Sequence, residues 1–224
     1  MTRMKPSEVR GWESAYARFE RDAIQFWDQC QRELDATRAA LAPAKENLPS
    51  QHAYVMLCFG QIDGLSQRWR GGDAWKDKYQ AMIQRRIKER KRLNLPRKRY
   101  LSAQTRRMVS FMHRYMGVKP ATGRIVVEMY RHMLMHEGRV RPILDVRDRF
   151  FMWYLAWEAD PTHHLHIRQP ETMGDDYLVE CAVVNLVADV AQAIRAYASD
   201  LRRDTILQRN FRRLDNQRWD DLLE

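Results

Sequence analysis

Tyr130-Arg131-His132-Met133-Leu134-Met135-His136-Glu137-Gly138 closes an otherwise apolar helix with one arginine and two histidines four residues apart. At about 100° per residue, Glu128, Arg131, His132 and His136 fall inside an arc of roughly 140°. Ile125, Val126, Val127, Met129, Tyr130, Met133 and Leu134 fill the rest of the circumference. A helix buried over most of its surface keeps four polar groups on one strip only when something satisfies them. Another subunit, a metal ion or a phosphate would do so. The pattern predicts a helix from about Ala121 to His136, with Gly138 placed to terminate it.

Outward from this stretch, helical periodicity dominates. Trp12, Tyr16, Phe19, Ala23, Phe26 and Cys30 alternate spacings of four and three, which predicts one long amphipathic helix from Pro6 to Leu41. After Pro43 and Pro49, Tyr54, Cys58, Leu65 and Trp69 mark the inner side of a second helix, stopped by Arg70-Gly71-Gly72. An antiparallel hairpin is the simplest arrangement for these two. A third helix is expected from about Ala74 to Leu93, breaking at Asn94-Leu95-Pro96. A fourth runs from a Ser102 cap to Met116, before Gly117-Val118-Lys119-Pro120 turns the chain.

Beyond the motif comes the only strand-like text. Arg149–Trp157 is short and aromatic, and His164, Leu165, His166 and Ile167 alternate in period two, which predicts a β-hairpin at about 149–168. A last long helix is expected over about Asp176–Leu201, with Cys181, Val184, Ala188, Ala191, Ile194, Ala198 and Leu201 on one face. The fold class is therefore mainly α: an up-and-down helical bundle with a small β-hairpin between the last two major helices. It forms a single helical domain over residues 1–201, followed by a charged C-terminal tail over 202–224 with Trp219 as its anchor.

Composition bounds the function. Of 224 residues, 45% are apolar and 30% charged, the balance of a globular protein that buries a sizeable core. No apolar run approaches the roughly 20 residues that span a bilayer, and no apolar segment follows the basic residues at the N-terminus. Cys30, Cys58 and Cys181 are far apart and odd in number, and they read as small buried hydrophobes of a reducing compartment. A cytoplasmic protein without membrane association is expected.

The formal net charge is +10 and the isoelectric point about 9.8. Arginine outnumbers lysine, which suits planar, bidentate recognition of phosphate, and the bulk excess favours polyanions. Between Arg85 and Arg107 there are eleven Lys or Arg residues against one acid, Glu89. Arg85, Arg86, Lys88, Arg97, Lys98 and Arg99 form an RNA-binding candidate set with Tyr100 available for stacking, and Arg139 and Arg141 extend it beyond the motif. The plainer reading of this run is a solvated helix end and loop.

The Arg131-His132-Met133-Leu134-Met135-His136 stretch resembles the Arg-x4–6-His motif of the HEPN superfamily, all-helical domains in which Asn, His or Asp often follows the arginine. The opening long helical pair is similar to that family's plan. The hairpin after the motif departs from it. Active members of the family are metal-independent endoribonucleases of toxin–antitoxin, CRISPR-associated and phage-defence systems, in which two motif helices make a composite site. The resemblance implies a homodimer acting on RNA, with no cofactor and no metal, and with an antitoxin or activating protein as a further partner. It also implies His136 as acid/base, Arg131 as stabiliser of the charged phosphorane and His132 as an orienting group. Imidazole titrates near neutral pH and serves either role, and a guanidinium offers a fork of donors to phosphate.

Three other readings stay open at this point. Some members of the superfamily are scaffolds or bind RNA without cutting it. Arg131 can pair with Glu128 while His136 caps the helix end. His132 and His136 can also share a metal ion with His164 and His166, whereas Glu128, His132 and His136 together span roughly 12 Å, too far for one ion.

Overall fold

The computed structural model describes residues 6–41, 49–96, 100–134, 143–144, 149–157 and 165–223. Its helices are α1 (Pro6–Leu41), α2 (Pro49–Arg70), α3 (Asp73–Arg92), α4 (Ala103–Met116) and α5 (Pro120–Val126), which continues into a π-helical segment (Val127–Leu134). Then come β1 (Ile143–Leu144), β2 (Phe150–Ala156), β3 (Leu165–Arg168), β4 (Tyr177–Ala182), α6 (Val183–Arg203) and α7 (Thr205–Leu223). The architecture is mainly α, a helical bundle with a small sheet between the motif helix and α6.

Local signals place the helix ends. The Ser102 hydroxyl accepts from the Thr105 N–H at 3.0 Å and starts α4, and Gly117 ends it with φ 67°. At the end of α2, the Gly71 and Gly72 N–H groups both donate to the Gln67 carbonyl, and Gly71 takes φ 81°. The Asn210 amide donates to the Trp69 carbonyl at 2.8 Å and lies where a Gly71 Cβ would come within 2.8 Å of its oxygen. Gly71→Ala is therefore expected to destabilise the protein by about 1–2 kcal/mol from the left-handed backbone alone. The Asn210 contact adds to that cost, and a lowered urea midpoint with unchanged slope is the readout.

Tertiary packing departs from the simplest pairing of helices. α1 packs chiefly along α6 and not against α2 in a hairpin. The ion pairs Asp28–Arg195 and Glu20–Arg202 tie the two in antiparallel order. α2 instead packs on α4, α6, α7 and the π-helical segment. The stripe of α1 also turns: Trp27 is fully buried and Phe26 is 49% exposed. A strict alternation of four and three drifts off the face of a helix with 3.6 residues per turn, so over this length the next residue takes the core position.

Both segments predicted as strands lie in one sheet of order β1-β2-β4-β3. They are not neighbours in it, because β4 runs between them, parallel to β2 and antiparallel to β3. β4 comes from text predicted as the first turns of the last helix. Its Val179 and Cys181 face the core beside Trp153 and Leu155 of β2 and opposite Ile167 and Leu165 of β3. No glycine or proline separates β4 from α6, and the chain passes from strand to helix at Ala182.

The segment expected to be a charged tail is also different. Asp204 Oδ1 accepts from the Ile206 and Leu207 N–H groups at 2.7 and 3.2 Å, capping α7. Leu207 and Phe211, four residues apart, enter the core, with the Phe211 ring edge-on to Tyr16 and Phe19. This pair anchors the segment to the body; the side chain of Trp219, the expected anchor, lies outside what is described. The three cysteines are free and buried as expected. Burial, with Cys181 and Cys30 nearby, pushes the Cys58 thiol well up from its usual range, so it stays a protonated core group.

Candidate functional site

The motif helix starts at Pro120, whose missing N–H is harmless in a first turn, and Gly123 lets it approach Val109 of α4. Val126, Val127, Met129 and Tyr130 are all fully buried, so this part of the apolar circumference is a true core surface. Tyr130 is the main anchor. Its hydroxyl donates to the Val179 carbonyl of β4 at 3.1 Å and approaches the Tyr154 carbonyl of β2 at 3.5 Å, while its ring stacks on Phe59 of α2. The segment before Arg131 is thereby pinned between α2 and the central strand pair. Tyr130→Phe keeps the ring and loses the bond; unfolding free energy is expected to fall by about 1 kcal/mol in urea titrations.

The backbone of the motif differs from expectation. Residues 127–134 wind as a π-helix, with hydrogen bonds five residues apart instead of four. The wider winding turns each residue by less than an α-helix does. The strip drawn with α-helical steps through Glu128, Arg131, His132 and His136 therefore does not carry over unchanged. Glu128 is half-buried. Arg131 and His132 follow directly on the Tyr130 anchor as backbone positions, and their side chains lie outside what is described. His136, Arg139 and Arg141 lie outside the described residues altogether.

The basic run splits into distinct environments. No residue of α3 is buried, and Arg85, Arg86 and Lys88 are exposed near its C-terminal end together with Ile87. α3 is tied to the body through Tyr79, whose hydroxyl donates to the Leu101 carbonyl at 3.0 Å and whose ring stacks on Trp75. Arg90 is committed to the turn, donating twice to the Pro96 carbonyl. Arg97, Lys98 and Arg99 lie outside the described residues, and Tyr100 is half-buried.

Arg107, at the end of the run, does not belong to a solvent-facing patch. It is 6% exposed, donating from Nε to Ser66 Oγ at 3.0 Å and from Nη2 to Asp63 Oδ1 at 2.8 Å. The spacing held the signal: Arg107 sits in register with the apolar face of α4, among Met108, Phe111 and Met112, and α2 supplies the acid.

A second concentration of charge was not singled out from the sequence. Arg70 at the end of α2 and Arg106 and Arg114 of α4 line one pocket with His113 and Pro120. Arg70 and Arg106 are 36 positions apart, and no local pattern brings them together.

Among the described residues, no three His, Cys, Asp or Glu side chains are placed to hold a metal ion. His136, His163 and His164 lie outside them, as do the side chains of His132 and His166. No helix among the described residues is long and apolar enough to cross a membrane. Comparison with known proteins finds no matching family model, no matching curated sequence and no matching solved structure.

Proposed function

We propose that this protein is a metal-independent endoribonuclease of HEPN type, acting in the cytoplasm in a defence or toxin-like role. Its active site is composite, formed where the motif helices of two copies meet. The observation that carries the reading is the Arg131-x4-His136 motif in the sequence, directly after a helical segment whose Val126, Val127, Met129 and Tyr130 are buried and which Tyr130 pins to the sheet. Rigid support of this kind is what a transphosphorylation site needs, because a misplaced acid or base loses most of its effect. π-helical winding, an arrangement frequent at functional sites, supports the same assignment.

In the proposed reaction, His136 takes the proton of the ribose 2′-hydroxyl or delivers one to the leaving 5′-oxygen. Arg131 stabilises the negative charge of the phosphorane, and His132 orients the phosphate. One motif per chain makes half a site, so catalysis requires a dimer or an activating protein. The test is incubation of purified protein with several RNA classes in EDTA. Cleavage that persists supports the proposal, and intact RNA throughout, with the protein shown to be dimeric, sinks it.

A second reading is favoured by α3. Its exposed cationic end needs no motif to hold RNA and would serve a non-catalytic binding module. In that case Arg85→Glu with Arg86→Glu lowers RNA retention and flattens its salt dependence by about two ions' worth, while His136→Ala changes neither. Filter binding across a salt series reads both.

A further inference from the structure

The arginine pocket is a better-defined site than its sequence suggests. It is an open groove of about 440 Å³ between the end of α2, one face of α4 and the first residue of α5. That volume lies within the range of small-ligand pockets. The Arg70 guanidinium stacks on Trp69, 3.9 Å from the ring centroid, with Trp75 at 5.7 Å on the same group. Trp69 is itself held edge-on by Phe111 and Tyr115. Arg70 is thus positioned by packing and not left to sample solvent.

Its hydrogen bonding is nevertheless incomplete. Arg70 Nε is buried and has no partner among the described residues. Burial, and after it the charges of Arg106 and Arg114, push the Arg70 guanidinium below its ordinary range. Arg114 donates to Asp200 Oδ2 at 2.9 Å, and Tyr115 donates to the same oxygen at 3.0 Å. Asp200 is thereby committed to Arg114 and Tyr115, and no carboxylate is among the residues that line the pocket. His113 adds a ring whose Nδ1 faces the Val118 carbonyl at 3.1 Å; a carbonyl only accepts, so Nδ1 carries the proton. Three guanidiniums crowded round one pocket are an unfavourable arrangement that a bound anion relieves.

We infer that this pocket binds a phosphomonoester, through Arg70 and Arg106 directly and with Arg114 held behind them by Asp200. The charge match selects the class. Three arginines against one aspartate leave two net positive charges, and a phosphomonoester carries about −1.5 to −2 at neutral pH. Guanidinium forks suit its oxygens, and a fixed, stacked guanidinium loses little freedom on binding. The phosphate has two possible carriers of the same chemistry, a free nucleotide or the 5′ end of an RNA strand. The inference is independent of the ribonuclease reading, since none of its residues belongs to the Arg131–His136 motif.

The test uses the full chain and the fluorescence of its tryptophans, of which Trp69 lies directly under Arg70. Inorganic phosphate, AMP, and a short oligoribonucleotide with a 5′-phosphate or a 5′-hydroxyl are titrated in turn. AMP is expected to bind with a dissociation constant of about 1 mM or tighter. Arg106→Glu, at an exposed position, and Arg70→Met, which keeps a stem over Trp69, are each expected to weaken binding about tenfold or more. Arg85→Glu, on α3 and outside the pocket, should leave AMP binding unchanged. A 5′-phosphorylated oligonucleotide that outbinds its 5′-hydroxyl twin assigns the site to an RNA end. AMP binding without that difference assigns it to a free nucleotide. No saturable binding of AMP or phosphate, or binding that survives Arg106→Glu, overturns the inference.

Discussion

Arg107→Ala is expected to lower the free energy of unfolding by about 3–5 kcal/mol, the largest stability effect of any single charge among the described residues. The Arg107 guanidinium and the Asp63 carboxylate are 7% and 13% exposed and meet at 2.8 Å. Ser66 Oγ takes the Nε–H at 3.0 Å, and Gln104 Nε2 donates to the second Asp63 oxygen at 2.6 Å. Truncating Arg107 removes the guanidinium and keeps the carboxylate in a place that water reaches poorly, and the resulting penalty is mostly that of a charge stranded without its counterion. The double change Arg107→Met with Asp63→Leu should recover most of the loss, because it removes both charges while keeping apolar volume. Urea unfolding of both single variants and the double gives the coupling energy. A loss under about 1 kcal/mol for Arg107→Ala would mean the pair is solvated and α2 and α4 are held by apolar contact alone. Arg85→Ala, at an exposed site on α3, should stay within about 0.5 kcal/mol of wild type.

The second large effect concerns activity. If RNA is cut as proposed, His136→Ala is expected to slow cleavage by about 10²–10⁴-fold, the usual contribution of a positioned acid or base. Arg131→Ala should cost about 10²–10³-fold, as loss of one electrostatic stabiliser of a charged transition state does. The double variant should be little worse than the poorer single one, since groups acting as a unit do not add. Two accompanying measurements separate catalysis from scaffolding. Urea midpoints of both variants should lie near wild type, because a strip that serves the reaction is not what holds the helix down; Tyr130 and its buried neighbours do that. Mixing inactive His136→Ala with inactive Arg131→Ala protein should restore part of the activity if one copy's site borrows from the other. Activity that survives both substitutions, or that chelator abolishes, places the chemistry elsewhere.

The two experiments address different parts of the basic run, and the structure explains why it has to be divided. Eleven cations within Arg85–Arg107 look alike in a composition window. Arg107 is an interior strut, Arg90 fastens a turn, Arg106 lines a pocket, and Arg85, Arg86 and Lys88 face solvent. Among the described members, Arg85, Arg86 and Lys88, together with the exposed Lys91 and Arg92, can track a polyanion without first giving up a pocket role or an interior contact. Salt-dependence measurements on RNA should therefore respond to Arg85 and Arg86 and not to Arg107.

Helix starts and stops were readable along the chain because they depend on groups a few residues apart. Ser102 caps α4 through its own third neighbour, Gly117 closes it with a positive φ, and Gly71 does the same for α2. The mainly helical class and the position of the small sheet follow from such signals and from apolar periodicity. So does the buried circumference of the motif helix: Val126, Val127, Met129 and Tyr130 repeat as a core surface in the text and are one in space. What neighbours in sequence could not reveal is which faces meet. Apolar stripes are interchangeable as partners, since burial rewards area and not identity, so α1 pairing with α6 instead of α2 was undetermined until all the faces were present. β4 depends on the same completion. Tyr177–Ala182 has a helix directly behind it and becomes a strand because β2 and β3 offer hydrogen-bonding edges on either side. Arg107 finding Asp63, Phe211 reaching Tyr16 and Phe19, and Arg70 joining Arg106 and Arg114 are all contacts across 36 or more positions. Their energies exist only once the chain has closed those loops.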